Sequence, residues 1–405
     1  MIELIESGSS LKPHEVLAEG MPFYEVNNIL PYDFTPATEF TSRADIKTLL
    51  HGDFVTGRVG SIGNFAVYRE EQLAGISDNV LRFRLFSQHA ARAEFLLHFL
   101  NSALAAGQID KFRKGSLQGV INQTTLKTVV VPKLGKTRET RIVATMDAAR
   151  AERRAKLAEA HALLAGLDSF LLDTLGLTPP PKDDRKVFAT TVRGAREQSH
   201  LNADYFHPER ILALRAMEVA SGRVPCAKLA DVVAFIRDQI KTPGPNYLSL
   251  AHVQSHTGEL VDTNEEAAGA CSQFQTGDVL FARLRPYLNK VYRAEMDGCC
   301  SPEFHVLRVD NAQSLRPDYL AAILRSSLTL AQTRHMMTGN THPRLTNEDV
   351  VSLMIPIPKK VAVQETIATE ARRRREEARR LRGEAEAGWQ AAKRWFAEQL
   401  LGGAK

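Results

Sequence analysis

The chain repeats itself, and any fold it adopts has to be built twice. Gly52-Asp53-Phe54-Val55-x-x-Arg58 aligns with Gly277-Asp278-Val279-Leu280-x-x-Arg283 at a shift of 225 residues, and Asn64 falls on Asn289 at the same shift. Phe23-Tyr24-x-Val26-x-x-Ile29 aligns with Tyr247-Leu248-x-Leu250-x-x-Val253, and Gly115 and Pro132 align with Gly339 and Pro356, all at 224. Landmarks in one order at nearly one spacing point to a tandem duplication. The period is far longer than that of a solenoid repeat.

Each copy ends in a long amphipathic stretch. From Thr137 to Leu175, apolar or small residues fall at Ile142, Met146, Ala149, Ala160, Leu163, Leu167 and Phe170. That is the three-then-four spacing of a coiled-coil seam, interrupted where Arg153 and Lys156 take seam positions. Gly176 and Pro179-Pro180-Pro181 stop it. A second such stretch, Val361–Leu401, runs its seam through Ile367, Ala371, Ala378, Leu381, Ala385, Trp389, Ala392, Phe396 and Leu400, and Gly402-Gly403 ends it. At about 1.5 Å per residue each helix is roughly 55–60 Å long. Two such helices bury their stripes most simply against one another, as an antiparallel coiled coil. Leu157, Leu164 and Leu171 widen the first stripe, and Leu381, Trp389 and Phe396 lie on the second. That extra apolar width is where a partner protein would dock.

The segments before the helices read as short strands and turns. In the first, Pro22–Val26, Gly52–Val55 and Asn64–Tyr68 are strand-like, a helix covers Ala90–Ala106, and Val129-Val130-Val131-Pro132 is a last strand. The division is thus 1–135 for a first domain, 136–177 for the central helix, 178–198 for a polar, proline-led linker, 199–358 for a second domain and 359–402 for the terminal helix. The fold class is α+β, with two tandem mixed domains and a pseudo-two-fold relation between them.

Composition narrows the function. A formal charge of +5 and a pI of about 9.0 permit nucleic-acid binding without requiring it. Met1-Ile2-Glu3-Leu4-Ile5-Glu6 has no basic leader, and no run approaches the roughly 20 apolar residues of a membrane span. The four cysteines all lie in the second half and, without a secretory signal, do not read as a disulfide framework. The expectation is a cytoplasmic chain with no membrane partner.

Reading bases in a groove needs arginine, lysine, asparagine or glutamine on rigid turns. Arg283, Arg285, Tyr287, Asn289 and Lys290 stand together on one inter-strand loop, and Arg58, Ser61 and Asn64 on its counterpart. Ser116, Gln118 and Asn122 in one copy, and Thr341, His342 and Arg344 in the other, occupy polar loops just before the last strand. Any one loop also reads as a solvated turn. Four at matching places suit two base-reading surfaces, and DNA readers use such pairs. Sharper motifs fail. Gly57-x-x-Gly60-x-x-Gly63 lacks the Gly-Lys-Ser/Thr ending of a phosphate loop. His252-x-x-x-His256 lacks further metal ligands at a suitable spacing, and Cys299-Cys300 is a poor chelating pair. Arg372–Arg375 reads as a solvated helix face before it reads as a phosphate clamp. No glycine-rich S-adenosylmethionine loop, Asn/Asp-Pro-Pro-aromatic tetrad or ATPase loop is present, so the chain is not expected to be an enzyme, nor to bind a metal or cofactor itself.

The whole pattern resembles the specificity (S) subunit of type I restriction–modification systems. The resemblance is carried by Gly277–Arg283 and its echo Gly52–Arg58, and by the strand-proline-helix junctions at Val131-Pro132 and Ile355-Pro356-Ile357-Pro358 with Gln364 and Ile367. It is also carried by Asn202-Ala203-Asp204-Tyr205-Phe206-His207-Pro208, similar to a common opening of the second domain. The first junction lacks the usual second proline and glutamine, and the chain starts close to its first strand. The resemblance implies that 1–135 and 199–358 are target-recognition domains for the two halves of a bipartite double-stranded DNA target. It implies two methyltransferase (modification) subunits as partners, with motor/nuclease restriction subunits as an optional addition. S-adenosylmethionine, with ATP and Mg where a motor is present, would belong to those partners. The other open class is a non-enzymatic adaptor that homodimerises through its helices and binds no specific DNA sequence.

Overall fold

The computed structural model describes residues 1–59, 62–111, 120–178, 181–183, 185–191, 202–267, 269–311, 313–339 and 341–402. The chain divides into two compact units, Met1–Lys156 with Gly383–Lys405, and Leu157–Arg382. Each unit holds one mixed domain and a part of both long helices.

In the first unit, β1 (Ile2–Ser7), β7 (Phe54–Gly57), β8 (Phe65–Val67) and β10 (Val80–Leu85) form a sheet of order β1-β10-β7-β8. A second sheet, of order β5-β2-β9-β6, joins β2 (Met21–Tyr24), β5 (Glu39–Thr41), β6 (Thr48–Leu49) and β9 (Ala74–Ile76). Between them β3 (Ile29–Leu30) and β4 (Asp33–Phe34) make a short ribbon. The helices are α1 (Ala93–Leu100), α2 (Ala103–Lys111), α3 (Gln123–Thr128) and α4 (Lys136–Leu175).

After the second part of α4, the second unit continues with α5 (Pro208–Ala220) and β11 (Cys226–Lys228). One sheet, of order β12-β19-β16-β17, comprises β12 (Val233–Ile236), β16 (Val279–Ala282), β17 (Val291–Arg293) and β19 (Phe304–Val309). Another, of order β13-β15-β18-β14, comprises β13 (Gln239–Ile240), β14 (Tyr247–Leu248), β15 (Cys271–Phe274) and β18 (Gly298–Cys300). Then come α6 (Pro317–Arg325), α7 (Ser327–Thr333), α8 (Asn347–Val351), β20 (Met354–Pro356) and α9 (Val361–Leu401). Strand pairings recur at the sequence shift: β10-β7-β8 matches β19-β16-β17, and β2 lies parallel to β9 as β14 does to β18.

The Gly-Asp landmark is a folding device. Gly52 and Gly277 adopt φ of +87° and +94°, the left-handed region that only glycine enters without strain. The next residue buries its carboxylate. Asp53 accepts the Leu50 amide at 2.9 Å and two hydrogen bonds from Arg84, at 2.6 and 2.8 Å. Asp278 accepts the Gln275 amide at 2.8 Å and two bonds from Arg308, at 2.8 and 2.7 Å. Arg84 and Arg308 are themselves related by a shift of 224.

The long helices enter both cores. Ile142, Met146 and Phe396 are buried in the first unit with Phe54, Phe83, Phe95 and Phe99. Leu171, Leu172, Leu175 and Ile367 are buried in the second with Tyr319, Leu320 and Leu328. Ala160, Leu164, Ala378 and Leu381 form a separate small cluster there. Side chains of this size contribute roughly 1.5–3 kcal/mol each when fully buried. The helices thus belong to the domains rather than standing beside them.

Two expectations are corrected. The helix over Ala90–Ala106 is broken: a 3-10 turn, Ser87–Arg92, precedes α1, and α2 starts after Asn101. Asn101 leaves helical geometry because its side chain bonds both the amide and the carbonyl of Phe65, at 3.1 and 2.8 Å. Val129–Pro132 is not a strand either. The Gln108 side chain takes the place of a neighbouring strand, accepting from the Val130 amide at 2.8 Å and donating to its carbonyl at 3.1 Å. Gln332 does the same for Met354, at 3.0 and 2.9 Å, and there β11 adds a true strand.

The junction that lacks the usual glutamine has a substitute. Gln364 donates to the carbonyls of Ser314 and Pro358 and accepts the Arg316 amide. Its counterpart Glu139 cannot donate. Arg92 supplies the donors instead, bonding Glu139 at 2.6 Å and the Pro132 carbonyl at 2.7 Å.

The buried carboxylate sets a test. Asp278→Ala strands Arg308 and the Gln275 amide and is expected to cost on the order of 3 kcal/mol, the low end for a broken buried pair because Arg308 reaches solvent. Urea unfolding checks this, and Asp53→Ala should cost a similar amount in the first unit.

Candidate nucleic-acid interface

The inter-strand loop of the second unit leaves β16 at Arg283 and re-enters at β17. A 3-10 turn, Pro286–Leu288, is flanked by Arg285 and Asn289, both at φ of 50°. Left-handed backbone at two non-glycine residues needs external support. Asn289 provides it by donating to the Arg325 carbonyl at 2.7 Å, and the Arg285 amide donates to the Pro343 carbonyl at 2.8 Å. Leu284 bridges Arg344, and the Leu345 amide reaches the Arg283 carbonyl at 3.0 Å. The loop over 283–290 and the loop containing Thr341, His342 and Arg344 are therefore stitched into one surface. The first unit repeats the last stitch: the Ile121 amide donates to the Arg58 carbonyl at 2.9 Å.

The individual side chains fall into two groups. Arg285, Tyr287, Thr341 and His342 are exposed at the joined loop tips. The others bond within the fold. Asn64 donates to the Ile29 carbonyl, Arg58 to the Asp78 carbonyl, and Asn122 caps α3 through the Thr125 amide. Asn289 is buried, Lys290 donates to the Leu250 carbonyl at 2.7 Å, and Arg344 pairs with Glu303 at 2.8 Å. Ser61, Ser116 and Gln118 lie outside the described residues.

Arg283 has a further effect. It faces His305, which β19 places opposite Phe281 and buries completely but for 6% of its surface. Burial first, then the charges of Arg283 and Arg237, push the His305 imidazole down to about 3. The imidazole is neutral at physiological pH and adds no positive charge beside Arg283.

The other expected sites resolve simply. Leu164, Leu171, Leu381 and Phe396 are buried within their own units, Trp389 packs against the first core, and Leu157 is half-buried. Arg372 to Arg375 are all engaged: Arg372 with Asp318, Arg373 and Arg374 with Glu370, Arg375 with Glu259. His252 bonds Ser249 through Nδ1. Among the described residues, His207, Glu209 and His335 lie close enough to share an ion. Their atoms are already spent. His207 Nδ1 accepts from the Glu209 amide, its Nε2 lies 3.3 Å from the Arg185 carbonyl, and His335 Nε2 bonds Glu209 at 2.8 Å. The two rings stack at 3.7 Å, which suits packing rather than convergent ligation. No described helix is long and apolar enough to cross a membrane.

Sequence reading missed the partners of the Gly-Asp landmark, Arg84 and Arg308, and the paired glutamines Gln108 and Gln332. The signal was present. All four residues obey the 224 shift, and extending the self-alignment past the glycines would have found them.

The chain is similar to specificity subunits of type I restriction–modification systems. It is 21% identical over 135 residues to the type I restriction enzyme EcoDI specificity subunit from Escherichia coli, a match spanning 32% of this chain and 30% of that protein. Among solved structures, the S subunit of a type I restriction–modification system from M. genitalium covers 98% of this chain and 93% of its own, at 10% identity and a TM-score of 0.48. The HsdS subunit from Thermoanaerobacter tengcongensis covers 94% and 90%, at 15% identity and a TM-score of 0.33. No protein-family model matches the chain.

His305 gives a pH test with a definite sign. Its folded value lies below the unfolded one near 6.5, so its contribution is complete above pH 6.5 and is lost progressively as pH falls toward about 3. At pH 5 the loss is about 2 kcal/mol. His98, His256 and His335 are depressed by burial as well, so denaturant unfolding at pH 7 and pH 5 should show a loss about 2 kcal/mol larger in the native chain than in His305→Phe.

Proposed function

We propose that this chain is the DNA sequence-recognition (specificity) subunit of a type I restriction–modification complex, each domain reading one half of a bipartite target. The observation that carries the reading is the recurrence, in two units with matching strand pairings, of a loop after the Gly-Asp strand stitched to the loop before α3 or α8. The curated similarity to a specificity subunit supports it. Arg285 offers a guanidinium fork, His342 and Thr341 offer donors and acceptors, and Tyr287 offers an apolar face with a hydroxyl. These are groups that read base edges or hold phosphates. In this reading the chain performs no chemistry. Methylation, with S-adenosylmethionine as donor, is the work of modification subunits that dock on it.

The long helices would pair as an antiparallel coiled coil that fixes the unread spacer between half-sites. Contacts inside each unit support the pairing. In the first, Arg138 donates to the Gln399 carbonyl and Lys156 pairs with Glu384 at 3.2 Å. In the second, Arg374 lies over the Phe170 ring at 5.2 Å. With the seam residues buried or half-buried in this chain, modification subunits would meet the outer faces of the helices and the domain surfaces beside them.

Co-expression with a type I methyltransferase (modification) subunit, followed by genome-wide mapping of methylated bases, tests the reading. A gapped two-part methylation motif that disappears on deletion of this gene is the expected result. A stable complex with no such motif would sink the proposal and favour the adaptor.

Loop substitutions separate contact from scaffold. Arg285→Ala or His342→Ala should weaken specific DNA binding by about 1–3 kcal/mol, roughly 10- to 100-fold, without moving Tm. Asn289→Ala should lower Tm, because it removes the bond that supports the left-handed turn. Gel shift and thermal melting on the same preparations distinguish the two classes.

A further inference from the structure

In the second unit a cavity of about 210 Å³ opens among α4, α6, α7 and α9, with Leu164, Leu167, Phe170, Leu330 and Ile367 in its wall and the exposed Ala165 at its rim. Apolar cavities of about 150 Å³ take up benzene, so this one has room for a small organic molecule.

The first unit fills the corresponding place. Leu164, Leu171 and Ala322 correspond to Trp389, Phe396 and His98, at separations of 225, 225 and 224 residues. The ends of α1 and α6 fix the last correspondence. Ser102 and Ser326 each donate to the carbonyl three residues earlier, at 2.6 and 2.7 Å, and each accepts the amide three residues later, at 3.4 Å. In the first unit the three rings close on Tyr32 and one another: Tyr32 lies 5.4 Å from His98 and 5.8 Å from Trp389, and His98 lies 6.4 Å from Phe396. Two leucines and an alanine stand in their place in the second unit, and the cavity is the space they leave.

Three polar groups line this space and are short of partners. Ser327 Oγ is buried and has no hydrogen bond among the described residues. Asp168 spends Oδ1 on the Ser327 amide at 2.9 Å, and its Oδ2 has no partner among them. Arg325 spends one of its five donors on the Val291 carbonyl, at 2.9 Å, and makes no ion pair among the described residues. The carboxylates whose charges reach it are taken, Glu259 by Arg375 and Arg379, and Asp318 by Arg293 and Arg372. Thr257 and Asn289, which also line the cavity, are bonded elsewhere, and burial favours the neutral form of His256. The lining thus offers one cation, one anion and a hydroxyl beside an apolar wall, the composition of a small-ligand site.

We propose that this cavity binds a free apolar α-amino acid of leucine size, its carboxylate on Arg325 and Ser327 Oγ, its ammonium on Asp168 and its side chain against Leu164, Leu167 and Ile367. Charge selects the zwitterion. A plain carboxylate at Arg325 meets the like charge of Asp168, and a plain amine at Asp168 meets that of Arg325, so each is rejected by the group it cannot answer. None of Arg285, Tyr287, Thr341 and His342 lines the cavity, and the site stands apart from the DNA-recognition assignment.

The test uses the full chain without DNA, titrated calorimetrically with L-leucine. 4-Methylpentanoate, which lacks the ammonium, and isoamylamine, which lacks the carboxylate, are the comparison probes. The expected result is saturable one-to-one binding of leucine, at least about tenfold weaker for either comparison probe. Asp168→Asn keeps the acceptor for the Ser327 amide and removes the charge, so it should weaken leucine by about the same factor and narrow its advantage over 4-methylpentanoate. Leu164→Trp, which installs the residue of the first unit, should abolish binding in a chain that thermal melting finds folded. Absence of leucine binding, equal affinity for leucine and 4-methylpentanoate, or leucine binding undiminished in folded Asp168→Asn would overturn the proposal.

Discussion

A carboxylate buried at the mouth of a strand holds each domain together. Asp53 and Asp278 are almost without solvent exposure, a position where an unpaired charge would be very costly. Each is tolerated because both of its oxygens are answered, by the backbone amide three residues earlier and by an arginine fork from the next strand of the sheet. The preceding glycine permits the turn that aims the carboxylate inward. A surface hairpin could drift in register by two residues at little cost, whereas this one is pinned. Because the hairpin is pinned, the loop that leaves its far end, at Arg58 or Arg283, emerges at a defined place.

Much of this was legible in the sequence because it depends on local pattern. The long helices announce themselves by seam spacing and by Gly and Pro stops. Structure places them at Lys136–Leu175 and Val361–Leu401, within a residue of the pattern's own limits. The strands around the Gly-Asp landmark follow from short apolar runs between turns. What pattern could not supply is pairing through space. Asn101 looks like any polar residue on a helix until Phe65 is beside it, and Val129–Val131 looks like a strand until Gln108 occupies its hydrogen bonds. The candidate site divides in the same way. Composition identified the loops, but Asn64, Asn289, Lys290 and Arg344 could be separated from Arg285, Tyr287, Thr341 and His342 only by what each one bonds.

The two copies differ by exchanging groups while the framework's hydrogen-bond requirements stay met. At the strand-to-helix junction, Gln364 satisfies carbonyls and an amide with one side chain. Glu139 can only accept, so Arg92 donates on its behalf and the same backbone turn survives. An interior junction must balance its donors and acceptors within the chain, because water cannot reach it to do so. Where duplicated domains compensate a substitution, they mark structure.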